Sequence, residues 1–306
     1  MRLPAVARAL FLANAVLFLA AQFTPAQTLA LHDDFSAATI DGSRWTAYEY
    51  VARYVRTATL DGGWAHSSED MATSNPALSV VNAHALVRIV SGQVRLALTT
   101  HGAREGAGLA QGNGRLGLRT FGAAGLTRMR AKVTVTASTV EPCDEQPSRS
   151  RAQLLAHFFG DGDPAEPITQ RDVFATLSLQ RHTFTGDRIV GVVSRCRDFA
   201  CTVADDLGFV EFARSWARGA AHVLTLTHQP DRSRFVFTVS GGGAPAETRA
   251  VPYTVPVSFD APRSRIRDLL VEASPAACAS PDGAVPRPAV TMDARFDDVA
   301  FDMATE

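Results

Sequence analysis

The sequence predicts an all-β fold, an antiparallel sandwich of two sheets, on three observations. Beyond an N-terminal leader, apolar side chains recur at every second position rather than at the helical period of about 3.6. Gly, Pro, Asp and Ser punctuate these runs, as turns between strands require. No later stretch combines a sustained amphipathic helical pattern with end caps, although residues 209–217 leave room for a short helix.

The leader comes first. Arg2 and Arg8 flank the start of an uncharged apolar run over residues 9–21, and Thr24-Pro25-Ala26 offers small residues for a peptidase. The run is shorter than the ~20 residues of a spanning helix. Residues 1–26 are therefore expected to be a signal peptide. Residues 27–306 are expected to form a single secreted or periplasmic domain without a membrane span. No long Pro/Ser or Gly/Ser linker divides them, and a chain of this length buries a substantial core.

The 30 basic and 31 acidic residues leave a formal net charge of -1. That balance points away from nucleic acid and anionic membranes as partners. Lys132 is the only lysine among the basic residues.

The strands follow in order. Residues 87–90 and 94–99 alternate on either side of Ser91-Gly92, the pattern of a tight hairpin. Further alternating runs cover residues 128–136, 153–159, 173–180 and 189–193. A second hairpin joins residues 224–227 to 235–239 through Gln229-Pro230-Asp231-Arg232. Four cysteines in an exported chain read as two disulfides, for which three connectivities exist on paper. Cys196 and Cys201, five positions apart, suit a bond that pins a short loop, which leaves Cys143 with Cys278. No Cys-x-x-Cys pair with a histidine partner suggests zinc.

Two motifs frame the mature chain: His32-Asp33-Asp34-Phe35 with Trp45 at the start, and residues 295–302, Arg-Phe-Asp-Asp-Val-Ala-Phe-Asp, near the end. Together with Gly92-Gln93-Val94-Arg95-Leu96 and the Pro-Asp hairpin, this frame resembles the concanavalin A-like jelly rolls, including laminarinase-like and LamG-like domains. The resemblance implies a jelly-roll β-sandwich of two antiparallel sheets. It also implies a structural calcium held by carbonyls at Asp34 and Gly92 and by the carboxylate of Asp297. Oxygen ligands of that kind suit a hard cation. Trp45 is expected in the core.

The family 16 glycoside hydrolases of this fold carry Glu-x-Asp-x-Glu on one strand. Residues i, i+2 and i+4 of a strand share a face, so the acids line one cleft. The matching strand here offers Asp172, Phe174 and Thr176, a single acid where the reaction needs a pair. Glu211 and Glu272 are the remaining catalytic candidates, since apolar neighbours in sequence would raise a carboxyl pKa toward that of a general acid. Gly112-Asn113-Gly114-Arg115-Leu116-Gly117 matches a dinucleotide fingerprint but reads as a turn, without the flanking strand and helix.

Sugar binding needs flat aromatic faces and a few polar groups instead. Tyr48, Tyr50, Tyr54 and Trp64 concentrate the aromatic residues, and His157 and His182 lie near the strand that would line a cleft. The expected function is an exported, non-catalytic, lectin-like protein with a polysaccharide partner. The alternatives are a glycoside hydrolase or polysaccharide lyase with displaced catalytic groups, and a structural envelope or adhesion module.

Overall fold

The computed structural model describes residues 29–51, 54–57, 63–66, 83–101, 114–122, 124–142, 147–162, 171–198, 201, 203–258, 262, 264–276 and 288–303. In chain order the strands are β1 (Ala30–Asp33), β2 (Thr46–Val51), β3 (Tyr54–Thr57), β4 (Gly63–His66), β5 (Ala83–Ile89) and β6 (Val94–His101). Next come β7 (Gly114–Phe121), β8 (Leu126–Val140), β9 (Arg149–Gly160), β10 (Asp172–His182), β11 (Gly186–Cys196) and β12 (Ala204–Glu211). The series closes with β13 (Ala221–Gln229), β14 (Arg234–Gly241), β15 (Ala244–Pro252), β16 (Ile266–Ser274) and β17 (Ala289–Met303).

These strands form two antiparallel sheets, as the jelly-roll expectation requires. The first runs β15-β14-β13-β8-β17-β6-β5-β4, with β1 also on β17; the second runs β12-β11-β10-β9-β16-β7-β2-β3. Among the described residues there is no α-helix, and no helix is long and apolar enough to cross a membrane. The short helix allowed for residues 209–217 is absent. Residues 204–211 instead pair with β11 as an edge strand.

The two framing motifs meet in space. Ala30 lies opposite Phe301, and the Trp45 indole N–H donates to Asp33 Oδ2 at 2.7 Å. Trp45 is buried and packs against Phe35, as expected for a core residue. Between the sheets, one side of every long strand supplies the core. Ala152, Leu154, Ala156 and Phe158 of β9 and Val173, Ala175, Leu177 and Leu179 of β10 face Leu224, Leu226, Phe235, Phe237 and Phe296. Each large side chain removed from water contributes about 1.5–3 kcal/mol. The sheets approach closely at Gly191, where a Cβ would lie 2.7 Å from the Phe237 ring.

Cys196 and Cys201 are disulfide-bonded, as their spacing predicts. Cys143, Cys278 and the leader lie outside the described residues.

Candidate functional site

Since β9, β10, β16 and β7 send alternate residues to the core, the intervening residues share the outer face of the second sheet. On β9 these are Arg149, Arg151, Gln153, Leu155 and His157; on β16, Asp268, Leu270 and Glu272; on β7, Arg115, Gly117 and Arg119. Register then decides which of them meet. Glu272 stands opposite Arg115 on one neighbour and Arg151 on the other, and Asp268 stands opposite Arg119.

Glu272 is ringed by guanidinium groups. Its Oε1 accepts from Arg151 Nη2 at 2.6 Å, Ser274 Oγ at 3.1 Å and Arg149 Nη2 at 3.3 Å, while Oε2 accepts from Arg115 Nε at 3.2 Å. Burial opposes ionisation of this carboxyl, but the three arginines overcome it and hold the pKa well below the usual carboxylate range. The apolar neighbours in sequence led us to expect the opposite shift. Val271 and Ala273 point to the core, and although the buried Leu270 shares the outer face with Glu272, the guanidinium groups outweigh it.

Next to it, Asp268 takes two hydrogen bonds from Arg119, at 2.9 and 2.8 Å, and one from the Tyr48 hydroxyl at 2.8 Å. The Tyr48 ring occupies a berth that only Gly117 allows, since a Cβ there would lie 2.6 Å from the ring, and Arg119 covers its face at 4.2 Å. Burial and the neighbouring Asp268 push the Tyr48 phenol well above its usual pKa. Tyr48 is thus a locked wall residue with its face already stacked. On this part of the face, four arginines stand against two carboxylates. Gln153 Oε1, Arg149 Nε and Arg151 Nε are buried there without a hydrogen-bond partner.

A different arrangement occupies the other end of the face. Asp172 is fully buried, and its Oδ2 accepts from Ser264 N and Ser264 Oγ, both at 2.8 Å. His157 Nδ1 lies 2.6 Å from the same hydroxyl and 3.3 Å from Asp172 Oδ2. The arrangement in which His157 Nδ1–H donates to Ser264 Oγ, and Ser264 Oγ–H to Asp172, satisfies all three. Phe174 stacks on His157 at 5.2 Å, and the Cys196 and Cys201 sulfurs lie within 4.8 Å of the imidazole. The disulfide leaves those sulfurs no thiolate to bind a metal.

Neither Asp268 with Glu272 nor Asp172 with Glu272 makes a working pair of acids. Asp268 and Glu272 are four residues apart on one strand, roughly 13 Å. Asp172 lies eight residues along β10 from Gln180, the residue opposite Arg151, so it is roughly 26 Å from the Glu272 cluster. Paired glycosidase carboxyls stand about 5–9.5 Å apart. Glu211 is about half-exposed on β12 and accepts from Arg188 Nη1 at 2.9 Å, a surface ion pair.

His182 ends β10 opposite Arg149, beside the arginine cluster. Burial, with Arg188 and Arg149, lowers its pKa. The structure divides the aromatic group between the sheets: Tyr48, Tyr50 and Tyr54 belong to β2 and β3 of the second sheet, Trp64 to β4 of the first. The side chains of Tyr50, Tyr54 and Trp64 lie outside the described residues.

The calcium expectation meets a built-in cation. Lys132 Nζ lies 3.3 Å from Asp297 Oδ2 and 3.9 Å from Asp298 Oδ2, and Gln93 Nε2 donates to the same Asp297 oxygen at 3.3 Å. Asp298 N occupies Asp297 Oδ1 at 2.9 Å. Gly92 forms the adjoining hairpin turn at φ +71°, and the exposed Asp34 accepts from Ser36 N. With both Asp297 oxygens engaged by N–H donors, this arrangement does not fit a calcium ion.

Arg115, Arg119, Arg149, Arg151, Gln153, Asp268 and Ser264 were not singled out from the sequence. Arg149-Ser-Arg151-Ala-Gln153 already carried the signal, polar residues alternating with small or apolar ones.

No protein-family model matches the chain, and no curated protein matches it in sequence. Solved structures similar to it include a mutant of alginate lyase Aly36B in complex with alginate trisaccharide, with 14% identity, 85% of this chain and 99% of that chain covered, and TM-score 0.37. A mutant of a non-specific endo-β-1,3(4)-glucanase from glycoside hydrolase family 16 shows 13% identity, 89% and 95% coverage, and TM-score 0.38. Winged bean acidic lectin complexed with methyl-α-D-galactose shows 10% identity, 78% and 99% coverage, and TM-score 0.33. At these scores, any functional reading rests on this chain's own geometry.

Proposed function

We propose that this protein binds an acidic polysaccharide, without cleaving it, on the outer face of its second sheet. The observation that carries the reading is the convergence of Arg115, Arg149 and Arg151 on the single carboxylate of Glu272. Burial and the adjacent Arg151 lower the Arg149 pKa, so the guanidinium there gains from any additional anion. A uronate carboxylate or sulfate ester provides that anion, in a geometry that a guanidinium fork matches. The leader and the disulfide favour a place outside the cytoplasm.

Several features favour binding over hydrolysis. Glu272 is held ionised by guanidinium groups rather than poised as a proton donor. Asp268 and Glu272 also stand farther apart than a hydrolytic pair, and the Tyr48 phenol is held protonated.

Calorimetric titration and a product-release assay test the reading. A polyuronate or a sulfated galactan is expected to bind, more weakly as salt rises, while a neutral β-glucan does not bind and no substrate is cleaved. Arg151→Gln removes one charged hydrogen bond and is expected to weaken binding about tenfold or more. Equal affinity for the neutral glucan, or release of shorter products, would sink the proposal.

A further inference from the structure

Where β10 begins and β11 ends, a pocket of about 330 Å³ opens between Arg171, Arg195, Cys196, Arg197 and Asp205. Three guanidinium groups face one carboxylate in this wall. Arg195 is committed to neighbours, donating to Asp161 at 2.9 Å and to Asp205 at 3.1 Å. Arg197 lies 3.6 Å from the other oxygen of Asp205 and is largely exposed. Arg171 is exposed and makes no ion pair among the described residues.

The backbone of Arg171 is unusual as well. Its φ of +84° lies in a region that residues with side chains avoid. Two hydrogen bonds hold it there: Arg171 N donates to Cys196 O at 2.8 Å, and Asp161 N donates to Arg171 O at 3.1 Å. The Cys196–Cys201 disulfide fixes the same strand end. Strain of this kind persists only where the surroundings over-determine it, and it concentrates at binding sites.

We propose that this pocket is a second anion site, in which Arg171 and Arg197 receive a carboxylate or sulfate ester of the same acidic polysaccharide. The guanidinium fork matches both groups, and Asp205 and Asp161 hold Arg195 as a rigid side wall. The proposal rests on the acidic-glycan reading of the outer face. Arg171 lies nine residues along β10 from Gln180, which stands opposite Arg151, so the two sites are roughly 30 Å apart. A trisaccharide reaches only one of them; an octasaccharide reaches both.

Calorimetry of the full chain with trisaccharides and octasaccharides, in a polyuronate series and a sulfated galactan series, tests the proposal and separates carboxylate from sulfate. In the preferred series the octasaccharide is expected to bind at least tenfold more tightly than the trisaccharide. Arg171→Gly should abolish that gain, while Arg151→Gln should weaken both lengths. Glycine accepts the positive φ, so this variant is expected to melt at or above the wild-type temperature. A length gain that survives Arg171→Gly, or no gain in the wild type while the trisaccharide binds, overturns the second site alone. If neither series binds at any length, the glycan reading and the second site fall together.

Discussion

The two ends of the second sheet's outer face bury a carboxylate in opposite ways. Glu272 is surrounded by three guanidinium groups, whereas Asp172 is satisfied by the Ser264 amide and hydroxyl and by His157. The first arrangement leaves an excess of positive charge that an anionic ligand relieves. The second closes on itself and leaves little for a ligand to gain, so a buried carboxylate marks a binding face only through the charge of its partners.

The largest expected effect comes from removing the carboxylates one at a time. Glu272→Ala leaves three guanidinium groups around an empty position and is expected to cost about 3–5 kcal/mol. Asp172→Asn keeps the shape and part of the hydrogen bonding, and is expected to cost about 1–3 kcal/mol. Chemical denaturation of both variants measures the difference. Equal losses would show that the two ends do not differ as their partners suggest.

The pH dependence of stability separates the outer face from the sandwich interior. His228 stacks between Phe159 and Phe235, its Nε2 lies 2.8 Å from the Tyr253 hydroxyl, and burial pushes its pKa down to about 4. The unfolded chain binds a proton at about pH 6.5 that the folded chain refuses until about pH 4, so stability falls with pH across that window. At about 1.4 kcal/mol per unit, the loss amounts to about 3 kcal/mol. His228→Phe is expected to flatten that window. Glu272 acts lower: its folded pKa is depressed, so its contribution is intact above about pH 4.5 and fades only below it. Glu272→Gln should therefore alter the acid limb and leave the His228 window in place, as melts across pH 3–8 would show.

The smallest expected effect is no effect. Asp297 repeats the Glu272 solution on the first sheet, with Lys132 as its cation. EDTA and added calcium are therefore expected to leave the melting temperature of the wild type unchanged. A rise with calcium would show that an ion displaces the ammonium and restore the calcium expectation drawn from the framing motifs.

Much of the fold was legible in the sequence because strand alternation is local. The Val87–Thr99 and Leu224–Val239 segments each form a hairpin, and the short Cys196–Cys201 spacing sufficed to predict that bond. Residues 204–211 were harder to read, since an edge strand with the exposed Phe209 lacks a clean apolar face.

The candidate site was less legible. A net charge of -1 over the whole chain gave no sign of a basic face. That face arises only when β7, β9 and β16 pair in one register, which brings Arg115, Arg149 and Arg151 to the same carboxylate from segments more than thirty residues apart. The sequence by itself determined the all-β class and which residues of each strand turn inward, because a two-residue period is set by backbone geometry alone. Only the tertiary structure decided which outward residues became neighbours, and hence the sign of the Glu272 shift, because charge–charge energies depend on distance in space and on burial rather than on position along the chain.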